Sequence, residues 1–415
     1  MNAGNPSHKQ TSIWEVSDLG STGNNGFAAP SSLHPAAKMK ELIQHPDIQQ
    51  AASLLAAGKL VAFPTETVYG LGGDARRTEA VEGIFTAKGR PSDNPLIVHI
   101  ADRAELDAFV LEVSPADEKL MDAFWPGPLT LVLPVRPGSL SPRVTAGLDT
   151  VAVRMPDHGI ALALIRASGC PLAAPSANRS GRPSPTLAQH VREDLDGLID
   201  GIVDGGPAGV GVESTVVRTN AAGGATVLRP GGLPAEELGR VLGAEVRAVS
   251  AEPSADIDPA AARAASEAGA AGPKSGEPDA APSGGEAPGE APRSPGMKYT
   301  HYAPSGRLEV VLGAEREAAE AIRGLLAEAK ARGEKTGVLA FDEHLGHYDG
   351  QADLVLPLGS LHDLRQAASR LYAALRRFDE EGATFMLAEG CAEIGIGSAV
   401  MNRLGKAAGG RIRRV

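Results

Sequence analysis

Short apolar runs alternate with helical patterns over the first part of the chain. The apolar runs lie at 60–63, 95–100, 129–134, 150–156, 171–177, 201–206, 214–219 and 225–230. Runs of this length, bounded by Gly or Pro, are typical of strands that are buried on both faces. The helical patterns lie between them, at 51–59, 78–88, 102–111, 158–168 and 186–195. This alternation predicts an α/β domain over 41–240, built on a twisted open sheet with helices.

The composition changes abruptly after this domain. In residues 251–290 the only branched aliphatic residue is Ile257, and Ala, Pro and Gly dominate. Such a segment cannot bury enough apolar surface to offset the entropy that ordering costs, which predicts a flexible linker over 241–305. The linker ends in the string SPGMKYTHYAP at 294–304, which concentrates two tyrosines, a histidine and a lysine.

A second α/β pattern follows the linker. Strand-like runs at 307–313, 336–341 and 384–390 alternate with helical patterns at 314–332 and 361–378. We therefore expect a smaller, doubly wound, Rossmann-like α/β domain over 306–415. At the other end, the first 35 residues are polar and rich in Gly, Ser and Asn. Residues 1–40 are expected to form a mostly loose N-terminal extension with one edge strand at 11–16.

Composition limits the classes of function. The 415 residues carry 40 Lys and Arg against 51 Asp and Glu, a net charge of −11, which argues against broad electrostatic binding of nucleic acid. A local basic pocket for a small anion remains compatible with this charge. The two cysteines, Cys170 and Cys391, follow no metal-binding pattern. So few cysteines fit a reducing compartment. No signal peptide and no run of membrane-spanning length is present, so we expect a cytoplasmic protein without a membrane partner.

Candidate anion-binding groups cluster on two loops. FPTETVYGLGGDA (63–75) follows a predicted strand, and its glycines would let the backbone approach a ligand; an ordinary strand-to-helix turn is the alternative. In TAKGRPSDNPLIVHI (86–100), Lys88 and Arg90 would cradle phosphates, unless they only belong to a solvated basic loop. His99 ends the following strand, where a histidine is more often a core residue than a ligand.

Strand ends carry further polar side chains. Arg154 lies inside a buried strand and therefore needs an anionic partner, from the protein or from a ligand. Ser176 and Asn178 can point to the same side and bind sugar, base or phosphate. The alternative is that they only form hydrogen bonds with a loop of the protein. Glu213 is a candidate general base, although a carboxylate beside Ser214 is as often a structural anchor. Neither a nucleophile triad nor a metal-ligand spacing is present, so the residues alone indicate an anion-binding α/β enzyme.

Taken together, these stretches resemble the long form of the YrdC-domain family, the threonylcarbamoyl-AMP synthases. The matching strings are FPTETVYGLGGDA, AKGRPSDNPL, WPGPLTLVL, VAVRMPDH, APSANRSGRPSPT, GVESTVV and LRPG, and they cover essentially all of 50–233 in the family order. The long form adds a linker motif like SPGMKYTHYAP and a C-terminal domain ending in a string like GIGSAVMNRLGKAA (395–408). Each string is weak evidence alone, whereas the ordered set is specific. The domain at 41–240 is then the YrdC-like catalytic domain.

The resemblance implies a nucleotidyltransferase that forms threonylcarbamoyl-AMP and pyrophosphate from L-threonine, bicarbonate and ATP, for threonylcarbamoyladenosine modification of tRNA next to the anticodon. The positions that match the family's threonine pocket are Thr67, His99, Arg154, Ala174 and Ser214. Those that match its ATP contacts are Lys88, Arg90, Asn94, Thr150, Ser176, Asn178, Ser184, Arg229 and Tyr302. Lys88 and Arg90 would stabilise charge during catalysis, together with a Mg²⁺ carried by ATP. The resemblance implies no metal bound by the protein itself.

The implied partners are the three substrates and, by resemblance only, the downstream enzymes that transfer the threonylcarbamoyl group to tRNA. Tight direct binding of nucleic acid is not expected. Two other functions stay open as alternatives. One is a carbamoyl-transfer domain of the hydrogenase-maturation type, whose cysteine-rich zinc motifs are missing here. The other is an RNA-binding or ribosome-maturation module, which the net charge disfavours.

The string SPGMKYTHYAP also has two interpretations. By resemblance it is a lid that offers Tyr302 to the nucleotide and closes the site over a hydrolysis-prone intermediate. The alternative is a strap between domains, in which the tyrosines cover apolar surface and the prolines fix the direction of the chain.

Overall fold

The first part of the chain forms a large mixed sheet. The computed structural model describes residues 9–17, 35–249 and 302–415. Within them the sheet has eleven strands: β1 (Ser12–Glu15), β2 (Val61–Phe63), β3 (Gly70–Asp74), β4 (Ile97–His99), β5 (Leu129–Pro134), β6 (Thr150–Arg154), β7 (Leu172–Ala173), β8 (Gly201–Asp204), β9 (Thr215–Thr219), β10 (Ala225–Arg229) and β11 (Val246–Ala248). Their order across the sheet is β1-β8-β2-β3-β7-β4-β6-β5-β9-β10-β11. Parallel pairs, such as β4 with β6, occur beside antiparallel ones, such as β5 with β6.

Helices cover both faces of this sheet. They are α1 (Pro35–Gln44), α2 (Pro46–Ala56), α3 (Thr78–Lys88), α4 (Pro115–Phe124), α5 (Pro142–Thr145), α6 (Gly159–Ser168), α7 (Ala188–Leu195) and α8 (Ala235–Leu242), with a 3-10 helix at Arg103–Ala108. Successive residues of β2 belong to different apolar clusters, Ala62 to one and Val61 to the other, as the alternation of side chains along a strand requires. Helices α1, α2 and α6 pack on the Val61 side, whereas α3, α4 and α8 pack on the Ala62 side.

The ends of two helices follow from their sequences. Gly89 has a φ of 61°, and its N–H closes the last turn of α3 onto the carbonyl oxygens of Phe85 and Thr86. Ser114 caps α4, since its side chain accepts from the N–H of Asp117 while the Asp117 carboxylate accepts from the N–H of Ser114. The first of these signals fixes Lys88 as the last residue of α3.

The C-terminal part forms a second sheet, with five parallel strands in the described residues. They are β12 (Arg307–Leu312), β13 (Thr336–Ala340), β14 (Leu354–Pro357), β15 (Phe385–Glu389) and β16 (Ile412–Arg414), in the order β14-β13-β15-β12-β16. The helices are α9 (Glu315–Ala331), α10 (Leu364–Glu380) and α11 (Gly397–Ala407), with a 3-10 helix at Asp342–Tyr348. Val338 and Leu339 of β13 belong to separate apolar clusters, so both faces of the sheet are covered. The predicted doubly wound α/β fold is confirmed.

The two parts share an apolar cluster. Val212 of the first part packs with Leu371 and Tyr372 of α10. The neighbouring Gly211 has a φ of 80°, and a Cβ at this position would lie 2.3 Å from the Cα of Ser369 on α10. Glycine therefore lets the loop before β9 approach the helix closely. This contact seats α10 directly against the first part of the chain.

The predicted boundaries need four corrections. Helix α1 begins at Pro35, inside the predicted loose extension, because Leu42 is buried against the helices around it. β11 lies inside the predicted linker of 241–305, since it extends the sheet by pairing with β10. The glycine-rich stretch 63–75 contains β3 rather than a turn alone, because pairing with β2 and β7 outweighs its low strand propensity. The stretch predicted as a helix at 102–111 is a 3-10 helix of six residues.

Two other predictions concern the N-terminal edge strand and the linker. The edge strand predicted at 11–16 is β1, which pairs with β8 at the margin of the sheet. Residues 250–301, with most of the predicted linker and the first eight positions of SPGMKYTHYAP, lie outside the described residues. The description resumes at Tyr302.

Candidate active site

A polar cleft opens beside the carboxyl ends of β4 and β6. Together with the open solvent at its mouth, its volume is about 740 Å³. Eleven of the predicted site residues line it: Thr67, Lys88, Arg90, His99, Arg154, Ala174, Ser176, Asn178, Ser214, Arg229 and Tyr302. The fold therefore brings together side chains that lie far apart in the sequence.

Arg154 organises one part of the cleft. It is the last residue of β6 and lies opposite His99 in the pairing of β4 with β6. Its guanidinium donates from Nη1 to Thr67 Oγ1 at 2.8 Å and from Nε to Gly127 O at 3.2 Å. Its Nη2 lies 2.5 Å from Oε1 of Glu66. The anionic partner that a buried arginine requires therefore comes from the protein.

His99 is buried beside Arg154 and is neutral. Its Nδ1 lies 3.3 Å from the carbonyl oxygen of Ile97, and its ring meets that of Phe63 edge-on. Burial and then the neighbouring Arg154 guanidinium lower the pKa of His99 from 6.5 to about 3. A neutral imidazole can exchange hydrogen bonds with a polar ligand but carries no charge at neutral pH.

Ser214 and Arg229 form one hydrogen-bonded group. Ser214 precedes β9 and Arg229 ends β10, and the antiparallel pairing of these strands brings the two residues together. Arg229 donates from Nη2 to the Ser214 carbonyl oxygen at 2.9 Å and to its Oγ at 3.2 Å, while the Ser214 hydroxyl lies 2.7 Å from that of Thr130. Burial lowers the pKa of Arg229, so an anion at this place would be favoured.

Lys88 extends from the end of α3 into the loop at 176–184. Its Nζ donates to Ser176 O at 2.5 Å and to Asn178 O, and the N–H of Ser180 donates back to Lys88 O at 2.8 Å. The Ser176 hydroxyl donates to Asn178 Oδ1 at 2.6 Å. Burial, and after it the nearby Arg90, lowers the pKa of Lys88 well below its usual range. A phosphate in the cleft would restore the charge, because an anion favours the protonated amine.

Three predicted nucleotide contacts, all in the described part of the chain, do not line the cleft: Asn94, Thr150 and Ser184. Asn94 is fully buried, and its carbonyl oxygen lies 3.4 Å from Arg90 Nη2. Ser184 is buried and donates to Glu213 Oε1 at 2.6 Å. Thr150 begins β6 and is half-buried. Direct contact of these three with a nucleotide stays a prediction.

Glu213 is held by three donors. Its carboxylate accepts from Ser184, from the Tyr372 hydroxyl at 2.9 and 3.0 Å and from Arg403 Nε at 2.7 Å. Burial would raise the pKa of Glu213, but Arg403 and Arg229 outweigh burial and lower it from 4.5 to about 2. A carboxylate with so low a pKa is a weak base, which favours the structural anchor over the general base.

Sequence reasoning missed Glu66, Tyr372 and Arg403. For Glu66 a signal existed, because Arg154 required an anion and Glu66 stands directly before Thr67 in the quoted motif. Tyr372 and Arg403 come from α10 and α11, 159 and 190 positions from Glu213. Both residues contact Tyr302. The ring centroid of Tyr302 lies 5.2 Å from that of Tyr372 and 5.5 Å from the guanidinium carbon of Arg403. No local pattern predicts contacts over such separations.

The part of the chain that the structure describes has no group of three His, Cys, Asp or Glu side chains placed to hold a metal ion. Its helices are all too short or too polar to cross a membrane. Cys170 and Cys391 are both free and buried. Burial raises the pKa of each thiol, so neither is activated as a nucleophile.

Comparison with known proteins covers both parts of the chain. A family model described as "Telomere recombination" (Sua5_yciO_yrdC) matches residues 53–231, and one described as "Threonylcarbamoyl-AMP synthase, C-terminal domain" matches residues 245–409. The threonylcarbamoyl-AMP synthase of Bacillus subtilis is 50% identical over 372 residues, which cover 89% of this chain and 95% of the relative. The chain belongs to the threonylcarbamoyl-AMP synthase family.

Two further relatives of this family match nearly the whole chain. The threonylcarbamoyl-AMP synthase of Pyrococcus abyssi is 47% identical over 378 residues, 91% of this chain and 98% of the relative. The crystal structure of P. abyssi Sua5 complexed with L-threonine matches with a TM-score of 0.76 at 42% identity, covering 98% of this chain and 100% of that one. The predicted family, the α/β fold and the enzyme class of threonylcarbamoyl-AMP synthases are confirmed. Neither the hydrogenase-maturation nor the RNA-binding alternative is favoured.

Proposed function

We propose that the cleft forms threonylcarbamoyl-AMP and pyrophosphate from L-threonine, bicarbonate and ATP, and that the product feeds threonylcarbamoyladenosine modification of tRNA next to the anticodon. The observation that carries the proposal is the grouping of Arg154, Thr67 and His99 with Lys88 and Arg90 in one cleft. The first three suit an amino acid, and the last two suit a triphosphate. The names of the relatives support the same reaction.

The amino-acid pocket is proposed around Arg154. A guanidinium binds a carboxylate through its fork of N–H groups, and the hydroxyls of Thr67 and Ser214 and the neutral His99 offer hydrogen bonds to the rest of threonine. Ala174 would contribute through its backbone. The P. abyssi relative is complexed with L-threonine, which supports the same ligand for this cleft.

The nucleotide is proposed to lie along Lys88, Arg90 and the 176–184 loop. Ser176, Asn178, Arg229 and Tyr302 line the same cleft, and Asn94, Thr150 and Ser184 are proposed as contacts behind it. We expect ATP to bind as its magnesium complex, with the ion held by phosphate oxygens and water. Among the described residues, the carboxylate that lines the cleft is Glu213, and its oxygens already accept from three side chains.

The proposed chemistry has two steps. The free amine of threonine adds to bicarbonate with loss of water and gives an N-carboxy anion. A carbamate oxygen then bonds to the α-phosphorus, the bond from that phosphorus to the bridging oxygen breaks, and pyrophosphate leaves with the electron pair. Both reactants are anions, so alignment and charge neutralisation are the main tasks, and alignment can be worth on the order of 7–11 kcal/mol. A protein base is not required, because an α-amino group with a pKa of about 8 is partly deprotonated at neutral pH.

Tyr302 is proposed as the part of the lid that reaches the nucleotide. It lines the cleft, and the N–H of the next residue, Ala303, donates to Gly181 O at 2.9 Å. Residues 302 and 303 therefore lie against the 176–184 loop, where they would keep water from a reactive adenylate. We also propose a cytoplasmic location, since two free thiols suit a reducing compartment, and the tRNA threonylcarbamoyl-transfer enzymes as downstream partners.

The experiment is pyrophosphate release by the full-length protein with MgATP. We expect release to require both L-threonine and bicarbonate, and mass spectrometry to detect threonylcarbamoyl-AMP. A rate that is unchanged when threonine is omitted would exclude the proposed reaction. Tight, salt-dependent binding of unmodified tRNA without ATP turnover would support an RNA-binding module instead.

A further inference from the structure

We infer that the C-terminal domain positions the nucleotide loop of the cleft, and that Arg376 on α10 is a positioning residue for ATP. The nucleotide loop is the segment 176–184, which carries Ser176, Asn178 and Ser184. The inference rests on the proposed function of the cleft and deepens it, because it assigns the C-terminal domain a task in the same reaction.

The nucleotide loop depends on side-chain contacts for its shape. It connects β7 to α7, and in the described structure it contains neither a helix nor a strand. Asn178 Nδ2 donates to the carbonyl oxygens of Arg179 and Arg182, at 2.8 Å each. The place of Asn178 in the cleft is therefore set by the backbone at 179–182. Irregular backbone of this kind holds one conformation only where its polar groups find fixed partners.

Asp194 of α7 is the fixed partner of this backbone. Its side chain is fully buried. It accepts from the N–H of Arg179 at 3.2 Å and from the guanidinium of Arg182. Arg376 binds the same carboxylate with two hydrogen bonds, Nη1 to Oδ1 at 3.2 Å and Nη2 to Oδ2 at 2.8 Å, and Nη2 also donates to Pro183 O at 2.6 Å. The C-terminal domain thus reaches both the loop and the residue that anchors it.

A second contact from the C-terminal domain holds the end of the loop. Ser184 donates to Glu213, and Glu213 accepts from Tyr372 on α10 and Arg403 on α11. The loop is thereby tied to the C-terminal domain in two places. Arg376 holds its middle, directly at Pro183 and through Asp194 at Arg179 and Arg182, and Glu213 holds its end at Ser184. Both ties are buried, so solvent screens them little.

These contacts are connected to the nucleotide side of the cleft. Lys88 donates to the carbonyl oxygens of Ser176 and Asn178, so movement of the loop removes the partners of the lysine. The proposed threonine contacts His99 and Arg154 lie instead on β4 and β6, whose positions are set by the sheet. Loss of Arg376 should therefore impair the binding of ATP far more than that of threonine.

The test compares Arg376→Gln with Arg377→Gln in the full-length protein. Arg377 is the next residue of the same helix, but its side chain is 54% exposed and pairs with Glu380 and Glu381. We expect Arg376→Gln to raise the Kd and the KM for ATP about tenfold or more, as the loss of charged hydrogen bonds implies, with the KM for threonine changed by less than about threefold. Arg377→Gln should leave the Kd for ATP and both KM values unchanged.

Hydrogen exchange gives a readout that does not depend on turnover. Without ATP, the backbone amides of 178–182 should exchange faster in Arg376→Gln than in the wild type or in Arg377→Gln. If Arg376→Gln does not fold, Arg376→Lys decides, since it keeps the buried charge but loses the second hydrogen bond to Asp194. It should raise the Kd for ATP about threefold or more.

Unchanged ATP affinity in the folded variant overturns the inference. So does a KM for threonine that rises as much as the KM for ATP, because a general loss of structure would do this. If the wild type itself binds no ATP, the proposed function fails, whereas a wild type that binds ATP and a variant that binds it equally well refute only the role of Arg376.

Discussion

Arg154 and Glu66 form a buried ion pair beside the cleft, with Nη2 of the guanidinium 2.5 Å from Oε1 of the carboxylate. Within the described residues, neither oxygen of Glu66 accepts a well-oriented hydrogen bond, so the ion pair alone compensates its burial. Every nitrogen of the Arg154 guanidinium has a protein partner. A substrate carboxylate that binds Arg154 must therefore compete with Glu66.

Glu66→Gln removes the competing charge and should have two opposite effects. Without substrate the variant should be less stable, because removal of one partner of a buried ion pair costs about 3–5 kcal/mol. With L-threonine it should recover more stability than the wild type does, since the substrate carboxylate replaces the lost charge. The measurement is Tm with and without L-threonine. Glu79→Gln, an exposed position on α3, serves as the control and should leave both values nearly unchanged.

An equal rise in Tm on adding threonine to the wild type and to Glu66→Gln would contradict this interpretation. It would mean that the carboxylate of threonine does not replace Glu66 at Arg154. The guanidinium would then serve to hold Thr67 and Gly127 in place rather than to bind substrate.

Substitutions at the two ends of the cleft should change the KM values of different substrates. Arg154→Ala should raise the KM for threonine roughly 10- to 100-fold, the cost of losing hydrogen bonds to a charged group, with a small effect on the KM for ATP. Arg90→Ala should do the reverse. Steady-state pyrophosphate release with each substrate varied in turn measures both. Arg143→Ala removes an exposed arginine paired with Glu82 and is the control. The opposite pattern would show that the two pockets are exchanged.

Much of the fold could be predicted because local pattern and tertiary environment agree. The apolar run at 129–134 is β5, and the helical pattern at 78–88 is α3 to the residue. Arg154 is the informative residue for the site, because an arginine buried inside a strand needs an anionic partner. The prediction left open whether that anion was a ligand or the protein, and Glu66 supplies it in this structure.

The contacts of the C-terminal domain could not be predicted from the sequence. Helical periodicity indicates which face of α10 is apolar, but it does not show what lies opposite that face. Arg376 therefore looks like an ordinary polar position, although it is 1% exposed and pairs with Asp194, 182 positions earlier. The same holds for Arg403 and Glu213. Such pairs depend on how two domains pack, which neither charge nor spacing encodes.

His99 should not titrate near neutral pH. Its pKa of about 3 lies below the usual 6.5, so unfolding takes up a proton between about pH 6.5 and pH 3. The contribution of neutral His99 to the free energy of unfolding is therefore fully present above pH 6.5. It falls as acid is added through this window, by at most about 1.4 kcal/mol per pH unit. We expect the dependence of the free energy of unfolding on pH to be shallower in His99→Gln around pH 5. Parallel curves for the two proteins would show that His99 is already charged in the fold.

Tyr302 should act through its ring. The ring packs on Tyr372 and under the Arg403 guanidinium, and burial raises the pKa of its hydroxyl, so the group stays protonated. Tyr302→Ala should raise the KM for ATP or increase the loss of the intermediate, seen as AMP formed without threonylcarbamoyl product. Tyr302→Phe keeps the ring and should stay close to the wild type. Full coupled activity in Tyr302→Ala and in a deletion of 294–304 would leave the motif as a strap between domains.

Glu213 should make the protein sensitive to acid below pH 4.5. Its pKa of about 2 in the fold lies below the usual 4.5, because Arg403 and Arg229 outweigh its burial. The stability it contributes is complete above pH 4.5 and is lost as the pH falls toward 2, by roughly 3 kcal/mol in total. Glu213→Gln should be less stable than the wild type at pH 7, and the difference in the free energy of unfolding should shrink in acid. A difference that stays constant down to pH 3 would mean that the carboxylate is not held ionised by these arginines.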